Sequence, residues 1–207
     1  MEYTPKTFNL PALDGISKES VDAHLGLYQG YVKNFNAISA LMPEYAKDSA
    51  KHAHTLSELI RRRSFEFGGM RLHELYFAQF EGGAAALDPA GPLAKALEKD
   101  YMKAEHVVPY LKAIAMMRGP GWAILYWDPS AKPARSDGRS GGQFLAGFSG
   151  EQHQGHFVAL PVILALDVWE HAYLLDYGTT GKEKYVDAFF KNLNWSVLEA
   201  RFADSTK

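Results

Sequence analysis

Asp167-Val168-Trp169-Glu170-His171-Ala172-Tyr173 is the stretch whose residue types and spacing could do chemistry. Asp167 and His171 stand four apart, so one turn of helix would bring a carboxylate oxygen and an imidazole nitrogen to the same side. Such a pair can share one divalent or trivalent metal ion. The aspartate equally suits the cap of a following helix, and spacing alone does not separate the two uses. The chain has no cysteine, which excludes thiolate metal sites, disulfides and cysteine nucleophiles. Any metal or redox chemistry must therefore use histidine, carboxylate and water. Eight histidines are available: His24, His52, His54, His73, His106, His153, His156 and His171.

The elements that must position these groups are legible in outline. Leu160-Pro161-Val162-Ile163-Leu164-Ala165-Leu166 is short, β-branched and led by a proline region, as expected of a buried strand that delivers Asp167 at its end. Residues 1–16 carry Pro5, Pro11 and Gly15 and form an extended lead-in, after which Ser17 or Ser20 can cap a helix. Val21, Leu25, Tyr28, Val32, Phe35 and Ile38 recur at helical spacing, predicting a helix over about 18–46. A second helical segment spans roughly 50–80, interrupted at Gly68-Gly69 and ended by Gly82-Gly83; the two form an antiparallel hairpin.

The Gly/Ala/Pro-rich connector at 84–92 divides the chain into an N-terminal helical-hairpin lobe, 1–88, and a C-terminal α/β lobe, 89–207. Beyond it come expected helices at about 91–102 and 105–117, strands at 122–127, 144–148 and 159–166, and a turn-rich loop over 129–142. Helices at about 169–177, 182–192 and 195–203 close the chain. The fold class is α+β: a long antiparallel α-hairpin followed by a small three-stranded antiparallel sheet flanked by helices.

Composition bounds the partners. The 207 residues are 47% hydrophobic and 22% charged, ordinary for a soluble globular protein. A net charge of −2 suggests no general affinity for nucleic acid or anionic membranes. Arg61-Arg62-Arg63 is a short run in a helical pattern and reads as a solvated or salt-bridged face. Neither a secretory signal nor a bilayer-length apolar stretch is present, so the cytoplasm is the default location.

The string Asp-Val-Trp-Glu-His-Ala-Tyr resembles, residue for residue, the signature of the iron/manganese superoxide dismutases. Gly68-Gly69-Met70-Arg71-Leu72-His73 is similar to that family's two glycines, three variable residues and ligand histidine. Gly119-Pro120-Gly121-Trp122, Asn192-Leu193-Asn194-Trp195 and Ala200-Arg201-Phe202 extend the resemblance over nearly the whole chain. It implies one iron or manganese ion per chain, held by His73, Asp167, His171 and a histidine of the first helix. It also implies superoxide and protons as substrates, and a homodimer.

The first helix departs from the pattern. Tyr31-Val32 with Asn34 and Asn36 resembles the family's tail, but the commoner ligand-to-tyrosine interval, one residue longer, falls on Ala23, which cannot coordinate. His24 and Tyr31 are seven apart, about two turns of a regular helix, whereas the longer interval needs an extra residue, as in a π-bulge. His24 is thus the expected ligand on a helix without the bulge. Tyr28 then takes the place of a histidine that common members carry near the substrate entrance.

Other roles follow from the resemblance. A hydrogen-bond donor to the metal-bound solvent should come from 152–154, since Gly69 has no side chain; His153 fits best, with Gln152 its rival. Tyr31 and Trp122 or Trp127, with Trp169, would form an apolar gateway. Glu170 would reach the partner subunit's metal ligand and Tyr173 would lie at the interface. Arg71, Lys182 and Lys184 are candidates to attract the anionic substrate, and His52, His54 and His106 are structural or exposed. The alternative is a dismutase-fold metal-binding protein without dismutase activity, acting as a scaffold or in another non-haem iron redox role.

Overall fold

Helix α1 (Lys18–Ala46) begins where the Ser17 hydroxyl accepts the Ser20 N–H at 3.0 Å, one of the two serine caps expected. It runs without a π-bulge to its end. Together with α2 (Ala53–Ala78) it forms the hairpin. The pairing is antiparallel: His24 meets Phe77 (ring centroids 5.0 Å apart), Tyr31 meets His73 (5.0 Å), and Phe35 meets Phe67 (5.5 Å). The coordinates are a computed structural model describing residues 2–131 and 141–206. Much of the expected 129–142 loop, residues 132–140, lies outside the described residues.

One expectation is corrected in α2. Gly68-Gly69 does not interrupt the helix, which passes through both. The glycines are there for close approach. A Cβ on Gly69 would lie 2.5 Å from the Tyr31 ring, and one on Gly68 would lie 1.9 Å from the Gln152 carbonyl oxygen. Helix continuity costs about 1 kcal/mol per glycine relative to alanine, which the rest of a long packed helix absorbs.

After α3 (Pro92–Tyr101) and α4 (Val107–Ala115), with Pro109 in the first turn where it is tolerated, the chain enters the sheet. Strands β1 (Gly121–Asp128), β2 (Gln143–Gly150) and β3 (Val162–Asp167) are antiparallel, in the order β2-β1-β3. Strand β3 starts later than 159, just past Pro161, which has no N–H to give a ladder. Trp122, in the central strand, stands opposite Asp167 on one side and Ser149 on the other. The expected helix over 169–177 is instead a 3₁₀ turn, Glu170–Ala172, followed by the single-turn α5 (Leu174–Tyr177). Helices α6 (Lys182–Asn192) and α7 (Trp195–Ser205) finish the chain. Among the described residues, no helix is long and apolar enough to cross a membrane.

Strand β3 is an edge strand, and an open edge needs cover. Gln79, just beyond α2, supplies it. Its Nε2 donates to the Ala165 carbonyl and its Oε1 accepts the Ala165 N–H, both at 2.8 Å. Arg201 of α7 adds Nη1 bonds to the Ile163 carbonyl (3.0 Å) and Gln79 Oε1 (3.2 Å), and an Nη2 bond to the Leu75 carbonyl (2.7 Å). Burial pulls this guanidinium down to about 10. The hairpin is thereby fastened two residues upstream of Asp167. Replacing Gln79 with alanine takes these partners from the Ala165 N–H and carbonyl and removes an acceptor from Arg201. We predict a loss on the order of 3 kcal/mol in urea unfolding; a loss below about 1 kcal/mol would show the edge to be held by packing alone.

Candidate metal centre

His24 from α1, His73 from α2, Asp167 from the end of β3 and His171 from the following turn converge on one point. Their four donor atoms lie within 4.8 Å of one another. The Nε2 atoms of His24, His73 and His171 stand 3.2, 3.5 and 3.1 Å from Asp167 Oδ2. Asp167 and His73 are fully buried, and His171 keeps 20% of its side chain exposed. Contrary to expectation, no helical turn aligns Asp167 with His171. The strand end and the 3₁₀ turn do so, with Asp167 Oδ1 accepting the Trp169 N–H at 2.8 Å. The two carboxylate oxygens therefore have different partners, Oδ2 the imidazoles and Oδ1 the backbone before the turn.

Ala23, where the commoner spacing would put a donor, is exposed, whereas His24 faces inward. The unbulged helix explains this directly: a seven-residue step returns His24 to the face of Tyr31.

Protonation is set by burial and by the charges nearby. His73 Nδ1 lies 2.6 Å from the Gly69 carbonyl and so must carry the proton, leaving Nε2 a bare lone pair. That buried Nε2 has no hydrogen-bond partner. Burial holds His73 down to about 3 and pulls His24 below its usual value. Burial alone would raise Asp167, but His171 and His24 outweigh it and hold the carboxyl well below the usual carboxylate range. An unpartnered lone pair beside an ionised carboxylate, with two further imidazoles around it, forms a set suited to a metal cation. Three imidazoles and one carboxylate fit iron or manganese.

Beside the cluster, Trp122 fixes an amide. Its indole N–H can only donate, and it reaches Gln152 Oε1 at 2.9 Å, so the amide NH₂ must point the other way. There it donates to the Tyr31 hydroxyl at 2.9 Å. Having accepted this bond, Tyr31 keeps its own proton to donate. Burial, with Asp167 adding to it, holds the phenol well above its usual value. Trp169 stacks on His171 at 5.8 Å and anchors its indole to the Glu151 carbonyl.

Four placements correct the sequence reading. Gln152, fully buried, makes the contacts with Tyr31 and Trp122; His153 instead packs edge-on against Phe65, 5.6 Å away. Glu151, immediately before them, adopts φ +50°. Trp127 lies at the far end of β1, roughly 16 Å along the strand from Trp122, packed between Phe144 and Phe202. Tyr28 does not face the entrance. It is buried, bonded to Glu74 at 3.3 Å and to the Lys6 N–H at 2.8 Å. Arg71 and Lys182 are engaged elsewhere, with Glu74 and the Met117 carbonyl, and Lys184 is exposed on α6; none of the three borders the opening beside His171.

His52 meets Tyr45 edge-on, His54 is exposed, and His106 bonds the Tyr101 carbonyl at 2.9 Å; none joins the cluster. Glu170 is exposed and Tyr173 is buried beside Tyr185. Sequence reasoning passed over Glu66 and Phe65, whose only signal is that both precede Gly68 on the face of His73.

The overlap of Gly68 with Gln152 gives a prediction whose sign decides. On an exposed helix, glycine to alanine stabilises by about 1 kcal/mol. At position 68 the added methyl must push the Gln152 loop away, so Gly68→Ala should cost roughly 1–3 kcal/mol and lower the melting temperature. A rise in melting temperature would refute the close approach.

Comparison with known proteins places this geometry. Residues 89–201 match the family model for the C-terminal domain of iron/manganese superoxide dismutases. The chain is 32% identical over 200 residues to an iron superoxide dismutase of Aquifex pyrophilus, covering 94% of this chain and 88% of that protein. It is 31% identical over 206 residues to an iron superoxide dismutase of Saccharolobus solfataricus, covering 97% and 92%. With a mitochondrial manganese superoxide dismutase of Glossina morsitans morsitans it shares 31% over 193 residues, covering 92% and 83%. The chain belongs to the iron/manganese superoxide dismutase family.

Proposed function

We propose that the protein is a superoxide dismutase carrying one iron or manganese ion per chain, held by His24, His73, Asp167 and His171. The carrying observation is the buried, unpartnered Nε2 of His73, aimed at an ionised carboxylate between two further imidazoles. When bound, the ion supplies a one-electron couple between its trivalent and divalent states, so that two superoxide anions and two protons become dioxygen and hydrogen peroxide.

The chain's own residues do the rest. Gln152, oriented by Trp122, holds the Tyr31 hydroxyl so that its remaining proton points away from the amide and is available as a donor. Because burial keeps Tyr31 protonated, it can donate at neutral and alkaline pH alike. Trp169 and Phe65 wall the approach with rings, which admits a diatomic anion and keeps out bulky reductants. A homodimer in the cytoplasm completes the reading. Glu170 supports it: the side chain is exposed immediately before His171, placed to reach a neighbouring subunit, with Tyr173 close behind. The helical hairpin, 1–88, and the remainder, 89–207, would be the two lobes that each contribute two ligands.

The test is metal content and dismutase activity on the same preparation, after separate loading with iron and with manganese. One ion per chain with turnover supports the reading and names the metal. A full ion complement without turnover would favour the scaffold alternative. His24→Ala should weaken metal retention at least tenfold, given that even residues behind metal ligands contribute on that scale; undiminished metal content would remove His24 from the ligand set. Gln152→Ala should keep the ion and lose turnover.

A further inference from the structure

The way in to the centre is a cavity of about 300 Å³ between α1 and α2, whose lining includes Gly30, Tyr31, Arg62, Phe65, Glu66 and His171. Among the described residues, Arg62 is the one lysine or arginine on that lining. It is four residues before Glu66, a spacing that on an ordinary helix surface gives a solvated pair of little consequence. This pair is different. The Glu66 side chain is only 2% exposed and that of Arg62 is 43% exposed, so the negative end is sunk into the protein and the positive end stands at the rim.

The guanidinium is also held in a fixed pose. Its Nε donates to Glu66 Oε1 at 2.7 Å, and its carbon lies 4.1 Å over the Phe65 ring. Its terminal nitrogens make no hydrogen bond among the described residues, so their N–H groups remain for an incoming anion. Glu66 Oε2 is buried with no partner, so the carboxylate is not there to satisfy a hydrogen-bond network. Burying an incompletely satisfied carboxylate is costly. What it achieves is a fixed cation at an opening, in a chain whose net charge of −2 gives an anion no general attraction.

We propose that Arg62 is the guiding cation for the anionic substrate, anchored by Glu66 and stacked on Phe65, and that Glu66 attenuates its pull. This rests on the dismutase reading above. Small anions such as superoxide or azide would be drawn to the rim and passed inward along Tyr31.

The experiment uses the metal-loaded full chain and its Arg62→Gln, Arg62→Lys, Glu66→Gln and Lys184→Gln variants. Two quantities are read: kcat/KM for superoxide across ionic strength, and the dissociation constant of azide from its absorption change. Electrostatic steering predicts opposite signs. Arg62→Gln should lower kcat/KM roughly threefold to tenfold at low salt, flatten its salt dependence and weaken azide, with the loss in kcat/KM rather than kcat. Glu66→Gln, which unmasks the arginine, should raise kcat/KM at low salt, steepen the salt dependence and tighten azide. Arg62→Lys should keep most of the slope, and Lys184→Gln should match the unaltered protein. If Arg62→Gln keeps the parent's slope and azide affinity, the assignment is wrong. It is equally wrong if both charge variants fall together with melting temperature and metal content, which marks a structural ion pair. Should the parent protein bind metal without turnover, the dismutase reading fails, and the azide series still decides whether Arg62 draws anions.

Discussion

Everything near the centre answers to one desolvated carboxylate. Asp167 is fully buried at the end of an edge strand, and its Oδ2 faces three imidazole nitrogens at 3.1–3.5 Å. A buried carboxylate must be neutralised or paired, and proton uptake is disfavoured because its pKa is held low. Two of the surrounding imidazoles are themselves kept from charging by burial. A cation shared by the four fixed donors would neutralise it, and the same donors hold the carboxylate in place.

That constraint sets the tolerances of the scaffold. The four donors come from four elements, so their positions hold only if the hairpin, strand β3 and the turn after it are mutually fixed. Gln79 and Arg201 tie α2 and α7 to β3 through backbone atoms at Ala165 and Ile163. The glycine pair in α2 lets Tyr31 and the Gln152 loop press against the helix that carries His73. Oδ1 of Asp167 accepts the Trp169 N–H just before the 3₁₀ turn that carries His171, so one carboxylate both faces the cluster and holds the backbone leading to a neighbour. A fixed donor geometry is what would let residues behind the four donors tune a bound ion.

The sequence disclosed what rests on local periodicity and on contiguous strings. The hairpin, the three strands, and Asp167 with His171 were legible because each is encoded within a few residues. His24 was legible from helical phase added to the resemblance: seven residues return it to the face of Tyr31, whereas eight leave Ala23 turned about 80° away, where it is exposed. Features hidden from the sequence depend on the shape of irregular backbone or on distant contacts. Gln152 and His153 differ by one position in a loop without periodicity, and the left-handed backbone at Glu151 just before them leaves no local signal, since glutamate rarely adopts it. Gly68-Gly69 looked like a break because propensity is local, whereas the contacts that require those glycines come from residues 31 and 152.

Arg62 illustrates the same boundary from the other side. As part of Arg61-Arg62-Arg63 it reads as one of three equivalent surface charges, and Arg61 does behave so, paired with exposed Glu58. Four residues on from Arg62, however, the helix turns inward, and Glu66 is buried by the same rotation that presents His73 two turns later. Arg62 and Glu66 stand eleven and seven residues before His73, which puts all three within about 20° of one line along α2. What separates the pair is distance along the axis: Arg62 lies roughly 16 Å from His73, at the opening, and Glu66 lies one turn deeper. The asymmetry of the entrance follows from how far along α2 the pair sits from that histidine.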